Sequence, residues 1–378
     1  MNFLRRDFVV REPLLVAILV LIAVVFSTLT HAYTQAYDRR RNQLGQKWFA
    51  AANIALQQSR PDSAVDAFRT ALLYDPKNWD YRLYLAEALT RAGHSKQALN
   101  YYESLWQLNP RSGIVNLNLA RFAAQSGNVT DAERYFNGAI FGDWPENDAG
   151  HRREALLQLI NFYLQRGDTG QAESQLIVLS ANLPEDVVLR TKVADLFAQA
   201  GDYQRALNQY RLAFQIDPQF LPALAGAGKT AFQLGDYRAA ETYLSRAARE
   251  DSAGADVRNL LAVTQAAASL DPFEHGLPQS EKIRRVLRAK EIATMRLDTC
   301  AQSTENPSPS PIVSLLEQEK KLKPSAKPGY LTQHPDQIDS LFEFSVAIEK
   351  QSQSLCDKLT PEDSALLALA GSPTSNEK

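Results

Sequence analysis

Two cysteines, five histidines and a Gly-Lys-Thr triplet are the residues of this 378-residue chain with the most evident chemical potential. Gly228-Lys229-Thr230 has the ending of a phosphate-binding loop, in which backbone N–H groups and a lysine cradle phosphate oxygens. The first glycine of such a loop would fall at position 223, which is Ala223, and no strand precedes it. The triplet lies inside an expected helix, so nucleotide binding is not expected. The histidines are scattered, and no His-Glu-x-x-His, Gly-x-Ser-x-Gly or dinucleotide fingerprint occurs. The expectation is therefore no catalytic residue, no metal site, no cofactor and no enzyme. Asn128-Val129-Thr130 is a glycosylation sequon, but a small polar residue is expected at this inter-helix turn in any case. Acidic pairs such as Glu185-Asp186 and Glu362-Asp363 fall at expected helix starts, where they offset the macrodipole. Cys300 and Cys356 are either two unrelated thiols or, in an oxidising compartment, a possible disulfide. Closing a loop of that size contributes ~4 kcal/mol in the chain-entropy account.

Composition narrows the classes further. At 45% hydrophobic and 22% charged residues the chain is too apolar to be mostly disordered. Forty-one basic residues against 43 acidic ones give a net charge of -2 and no general pull toward nucleic acid. Two cysteines cannot frame a disulfide-rich scaffold.

The N-terminal stretch is of a different kind. Pro13 to Tyr33 contains no Asp, Glu, Lys or Arg, and Leu14 to Phe26 is wholly Leu, Val, Ile, Ala and Phe. About 20 residues span a hydrocarbon core of ~30 Å. Tyr33 and Tyr37 stand where interfacial aromatics belong. A cleaved signal peptide is the rival reading, with Arg5 and Arg6 as its basic start and Thr30-His31-Ala32 as a loose cleavage site. The apolar run exceeds the usual length of such a peptide, so an uncleaved single-pass anchor is expected. Arg5, Arg6 and Arg11 before the span nearly balance Arg39, Arg40, Arg41 and Lys47 after it, so orientation is weakly specified.

The most informative feature is self-similarity. Ala64, Ala98, Ala132, Ala172, Ala206 and Ala240 recur every 34 residues, save one gap of 40. Five residues before them stand Ser59 and then Gly93, Gly127, Gly167, Gly201 and Gly235. Four after them stand Phe68, Tyr102, Phe136, Leu176, Tyr210 and Leu244. Pro76, Pro110, Pro145, Pro184 and Pro218 close most units. Each unit reads as two helices: the glycine accepts a left-handed turn, the small residue allows close packing, and the bulky one fills the core. One helix pair cannot bury its apolar face alone, and stacking makes a continuous core.

At these residues the sequence resembles the tetratricopeptide repeat (TPR) family. The match runs through Trp48, Ala52, Ala64, Phe68, Ala71 and Pro76 in the first unit, and through Ala194, Phe197, Gly201, Tyr203, Ala206, Tyr210, Ala213 and Pro218 in the fifth. The resemblance implies an all-α, right-handed α-solenoid of about six TPR helix pairs, whose concave groove binds a protein or peptide. By family analogy the groove position of each first helix holds Asn53, Glu87, Arg121, Asn161, Asp195 and Lys229. Four residues on stand Gln57, Arg91, Gln125, Gln165, Gln199 and Gln233. All twelve are polar, which fits either a solvated helix face or a ladder for an extended peptide backbone. The carboxylate clamp of chaperone-tail binders is not reproduced, because Phe49, Tyr84 and Ile114 stand where polar or basic groups are needed. The second unit is rich in aromatics, with Tyr81, Tyr84, Tyr101, Tyr102 and Trp106. Departures from the pattern are Ile160 in place of a small residue, which predicts looser packing, and about six extra residues around Gly142 to Gly150, read as a protruding loop.

The expected organisation is an N-terminal flank (1–12), a transmembrane helix (13–33), a juxtamembrane segment (34–44) and six repeat units (45–78, 79–112, 113–152, 153–186, 187–220 and 221–254). A partial repeat and capping helix (255–300) follow, then a Pro-rich linker (301–311), a C-terminal helical segment (312–370) and a disordered tail (371–378). The basic residues Lys282, Arg284, Arg285, Arg288 and Lys290 fit the polar face of a cap.

The leading functional expectation is a membrane-anchored scaffold that presents its groove to a protein or peptide partner, with membrane contact through residues 13–33. No nucleic acid and no small-molecule substrate are expected. A non-catalytic accessory subunit of a cell-envelope enzyme or glycan system is the first alternative, and a self-assembling structural protein the second. An excess of Arg over Lys leans toward a bacterial inner membrane, with the soluble part outside the cytoplasm.

Overall fold

The computed structural model describes residues 4–146, 148–250, 252, 254–303, 311–322, 325–353, 356 and 359–371. The start of the N-terminal flank, most of the Pro-rich linker and nearly all of the expected tail lie outside them. Among the described residues there are eighteen helices and no strand. The chain divides into two compact units, Met1–Phe162 and Tyr163–Lys378. Both are stacks of helix pairs, the architecture of an all-α repeat solenoid.

In the first unit, α1 (Leu4–Gln57) pairs with α2 (Pro61–Tyr74), α3 (Trp79–Arg91) with α4 (Ser95–Leu108), and α5 (Gly113–Gln125) with α6 (Val129–Ile140); α7 (Asp148–Arg166) begins here. The turns inside the pairs follow one rule. Gly93 and Gly127 adopt positive φ, and Ser59 takes the same left-handed place in the first pair at φ 56. The N–H of His94 and that of Asn128 then donate to the carbonyls of Leu89 and Ala123. This ties off carbonyls that the helix end would otherwise leave open. The repeating alanines Ala64, Ala98 and Ala132 are fully buried, and Phe68, Leu85, Leu89, Tyr102 and Leu105 fill the space they leave. Phe49 stacks on Tyr81 and meets Phe68 and Tyr84 edge-on, and Tyr101, Tyr102 and Trp106 join the same packing, so most of the second repeat's aromatics belong to this core.

Helix α1 is a single run of 54 residues, about 80 Å long. The apolar stretch therefore enters the first repeat without a break, and residues 34–44 are helical. Side chains from Leu15 to Arg40 are all exposed.

The six-residue insertion does not protrude. Arg111 makes a two-pronged ion pair with Asp143, at 3.1 Å for each nitrogen. Their backbones also exchange bonds, Asp143 N to Arg111 O and Gly113 N to Asp143 O. Trp144 lies on the start of α5, donates to Ala139 O and stacks on His151. Arg152 donates to the carbonyls of Ile140 and Gly142. The extra residues thus fold back against α5 and α6, and part of them becomes the first turn of α7. Ile160 is completely buried.

The second unit holds α8 (Thr169–Ser180), α9 (Val187–Ala200), α10 (Tyr203–Ile216), α11 (Leu221–Gln233), α12 (Tyr237–Ala247) and α13 (Ala255–Leu270). Then come α14 (Gln279–Ser303), α15 (Pro311–Leu322), α16 (Pro328–Gln333), α17 (Asp336–Gln353) and α18 (Pro361–Leu369). The helix after α13 is a polar cap on one side only: Arg284 and Arg288 are exposed, while its other side joins a core. One apolar cluster runs from Tyr237 and Leu270 through Val286, Ala293 and Leu297 to Phe342, Ile348 and Leu366. Helix α14 packs mainly along α17, while α18 lies on α13. The seventh first-type helix therefore lies between α12 and a helix that arrives from the C-terminal segment, α18, in the place that α14 would otherwise take. Of the supposed cap residues, Arg285 is buried and donates to the carbonyls of Ala268 and Asp271 at the end of α13. Lys290 pairs with Glu319 at 2.8 Å.

Gly113 sets the limit on the insertion's packing, because a Cβ there would run into the Trp144 indole. Gly113→Ala should lower the stability of the first unit by about 1–3 kcal/mol, read as a shifted denaturant midpoint.

Candidate functional site

The polar double row occupies the outward side of successive first helices. In the first unit Gln57, Arg91, Arg121 and Gln125 are exposed, and Asn53, Glu87 and Asn161 half-buried. In the second unit Gln165, Asp195, Gln199, Lys229 and Gln233 are all exposed. Their neighbours point the other way: Ala52, Ala86, Ala120, Ala194 and Ala231 are buried. The helical period thus separates a packed face from a solvated one.

Several members are already engaged within the row. Arg91 donates to Glu87 one turn back. Arg121 donates to Gln158 at 2.9 Å and to Asn118 at 3.3 Å. Gln158 in turn donates to Glu154, so α5 and α7 share one polar lattice. Asn161 donates to the Leu157 carbonyl and adds nothing outward with that group. In the second unit the Tyr210 hydroxyl donates to Asp195. Burial pushes the Tyr210 phenol far up, with the hydrogen bond to Asp195 adding to it. Partial desolvation of the Asp195 carboxyl raises it, with the Tyr210 hydrogen bond and then Lys229 opposing. The row can exchange hydrogen bonds with an extended backbone, and its alternating charges favour neither a purely acidic nor a purely basic ligand.

Gly228-Lys229-Thr230 lies within α11, and the side chain of Leu244 occupies the space a Cβ on Gly228 would need. This glycine serves close helix packing, while Lys229 faces solvent.

Sequence reasoning paired no group with Arg296. It is buried on α14 and meets Glu349 at 3.2 Å and Asp363 at 3.1 Å, both also buried. It also donates to the Cys356 carbonyl. Asp363 and Thr360 form a reciprocal cap at the start of α18. One turn along α14 from Arg296, Cys300 is joined to Cys356 by a disulfide, with Cα atoms 5.9 Å apart. The charged cluster and the covalent link together fix the approach to α18. Burial, and then the Asp363 charge, push the Glu349 carboxyl up to about 7 against the opposing pull of Arg296.

Two descriptions of the tetratricopeptide repeat match the chain, one over residues 89–141 and 197–263 and the other over 49–93. Over 185 residues, 47% of this chain, the sequence is 27% identical to cellulose synthase operon protein C of Pseudomonas fluorescens strain SBW25. That stretch covers 14% of the relative, so the chain spans only a small part of its length. Among solved structures, the type IV pilus biogenesis factor PilW is similar at 19% identity and a TM-score of 0.44, over 58% of this chain and 99% of that one. PilF of Pseudomonas aeruginosa is similar at 19% identity and a TM-score of 0.43, over 59% and 98%.

A carboxyl that holds its proton more tightly when folded stabilises the fold only while protonated. Its contribution is complete below the unfolded value near 4.5 and is lost as pH rises to about 7. Unfolding of the second unit should therefore become easier across that window, by about 3 kcal/mol at most. Glu349→Gln should remove the slope, as measured by denaturant unfolding at several pH values.

Proposed function

The chain is a tetratricopeptide repeat protein, and on that premise we propose that it is a membrane-anchored adaptor that holds a partner protein or peptide against its first-helix faces. The observation that carries this reading is the double row itself. Each of the first helices of the six repeats buries its apolar side and leaves the same two positions polar, in both units. The anchor is α1. Its window of mean hydropathy 2.4 is 0% buried, and it is long and apolar enough to cross a bilayer. The mechanism is presentation: fixing the repeats to a membrane raises a partner's effective concentration there. The Cys300–Cys356 disulfide supports placing the repeats outside the cytoplasm, since such bonds persist in oxidising compartments.

A second reading makes the chain an accessory subunit of an envelope polysaccharide system. The observation that favours it is the likeness of about half the chain to a cellulose synthase operon protein. The two readings share the anchor and the repeats and differ in the partner.

Crosslinking from the first-unit groove in native membranes tests both. Arg121→Ala with Gln125→Ala should reduce the captured partner about tenfold or more, and undiminished capture would move the interface off the groove. A polysaccharide-synthesising enzyme among the captured chains would favour the second reading. In intact cells, a membrane-impermeant thiol reagent should label Cys300 and Cys356 only after reduction. Labelling that requires lysis, with both thiols free, would place the repeats in the cytoplasm.

A further inference from the structure

In a stack of helix pairs, the first helix of each pair is covered on one side by the second helix of the pair before it. Three places on the first helix record that cover. Two residues before the groove position stand Leu85, Leu119, Leu159, Val193 and Ala227, each no more than 1% exposed. Their counterpart on α1 is Ala51, which is exposed. One residue after the groove position stand Ala88, Phe162, Leu196 and Thr230, all buried, and half-buried Phe122. Their counterpart is Ile54, 53% exposed. Six residues before it, Tyr81, Val115, Ala155 and Ala223 are buried and Leu189 half-buried, while Lys47 on α1 is exposed.

Helix α1 continues without a break back to Leu4, and no other described helix of the first unit precedes it to cover this face. Stepping back by the helical period, Leu44, Arg40 and Tyr37 continue it. The face has the chemistry of a helix seat. Ala51 permits a close approach, Ile54 and Leu44 supply apolar surface, and Lys47 and Arg40 supply positive charge. A second copy anchored in the same membrane would lie parallel and set Lys47 against Lys47 and Arg40 against Arg40. Such like-charge pairs oppose association, whereas carboxylates at the same spacing favour it.

We infer that this face of α1 is a docking site for an amphipathic helix of a partner protein that carries acidic side chains. That helix lies antiparallel to α1, in the place the second helix of a preceding pair would hold. The site is separate from the groove and stands whether or not the groove binds a peptide.

The test places a photoreactive residue at Ile54 in the full-length protein in native membranes and maps the adducts by peptide sequence. The expected adduct lies on a helical segment with Asp or Glu three or four residues apart beside apolar residues. Lys47→Glu should lower its yield about tenfold through like-charge contact, and Ala51→Trp should do so by blocking the approach. Lys47→Glu should leave groove capture intact, which separates this site from the groove. Both substituted positions are exposed, so the variants keep the fold. An adduct to a second copy, adducts to lipid alone, or a yield that neither substitution changes would overturn the assignment.

Discussion

A helix pair of this kind has two apolar faces and can cover neither by itself. The rest of the structure follows from that constraint. Each first helix needs a second helix on both sides, one from its own pair and one from the pair before. The repeating alanine lets the helices approach, and the bulky residue a turn later closes the gap. Inside the stack the demand is met automatically. At its ends it must be met by something else, and the most informative departures from regularity occur there.

At the C-terminal end the chain supplies its own cover. Helix α18 lies on α13 and completes the pair that α14 leaves open. A nine-residue helix has little intrinsic stability, so its position depends on what holds its approach. Three devices do so: the reciprocal cap between Thr360 and Asp363, the Arg296 ion pairs and the disulfide to α14. Arg296 lies on α14, its two carboxylate partners lie on α17 and α18, and its carbonyl partner is in the segment between them. The buried charge is tolerable because two carboxyl groups and a carbonyl meet it, and in meeting them it links α14, α17 and α18.

The repeats were legible because their signals are local. A glycine or serine turn, a small residue and a bulky residue within a dozen positions specify a helix pair, and the period shows through the sequence. What was not legible depends on distant partners. The insertion looked like a loop because its anchors, Arg111 with Asp143 and Gly113 with Trp144, lie some thirty residues apart in sequence. The expected basic cap holds at Arg284 and Arg288 but not at Arg285, for a related reason. Arg285 is charged in sequence yet buried in place, because it satisfies the carbonyls that end α13. The pairing of α13 with α18 crosses about a hundred residues and has no local signature. The groove row sits between these cases. Its polarity could be read from spacing, but its internal pairing, Arg121 to Gln158 or Tyr210 to Asp195, could not.

That internal pairing changes how the row should be understood. A row of free charges would bind by long-range attraction and weaken steeply with salt. Here Arg91 and Glu87 pair, and Arg121 and Asp195 are held by polar neighbours, so most of the charged groups have set directions, while Lys229 faces solvent. An extended ligand would then meet oriented donors and acceptors, and specificity would rest on matching their spacing more than on its overall charge. The uncovered side of α1 presents the opposite case: Lys47 is exposed and apolar groups lie beside it, at places that are buried or half-buried on the first helices of the other repeats. One surface suits a strand-like ligand and the other a helix. A chain that carries both could hold two partners at once.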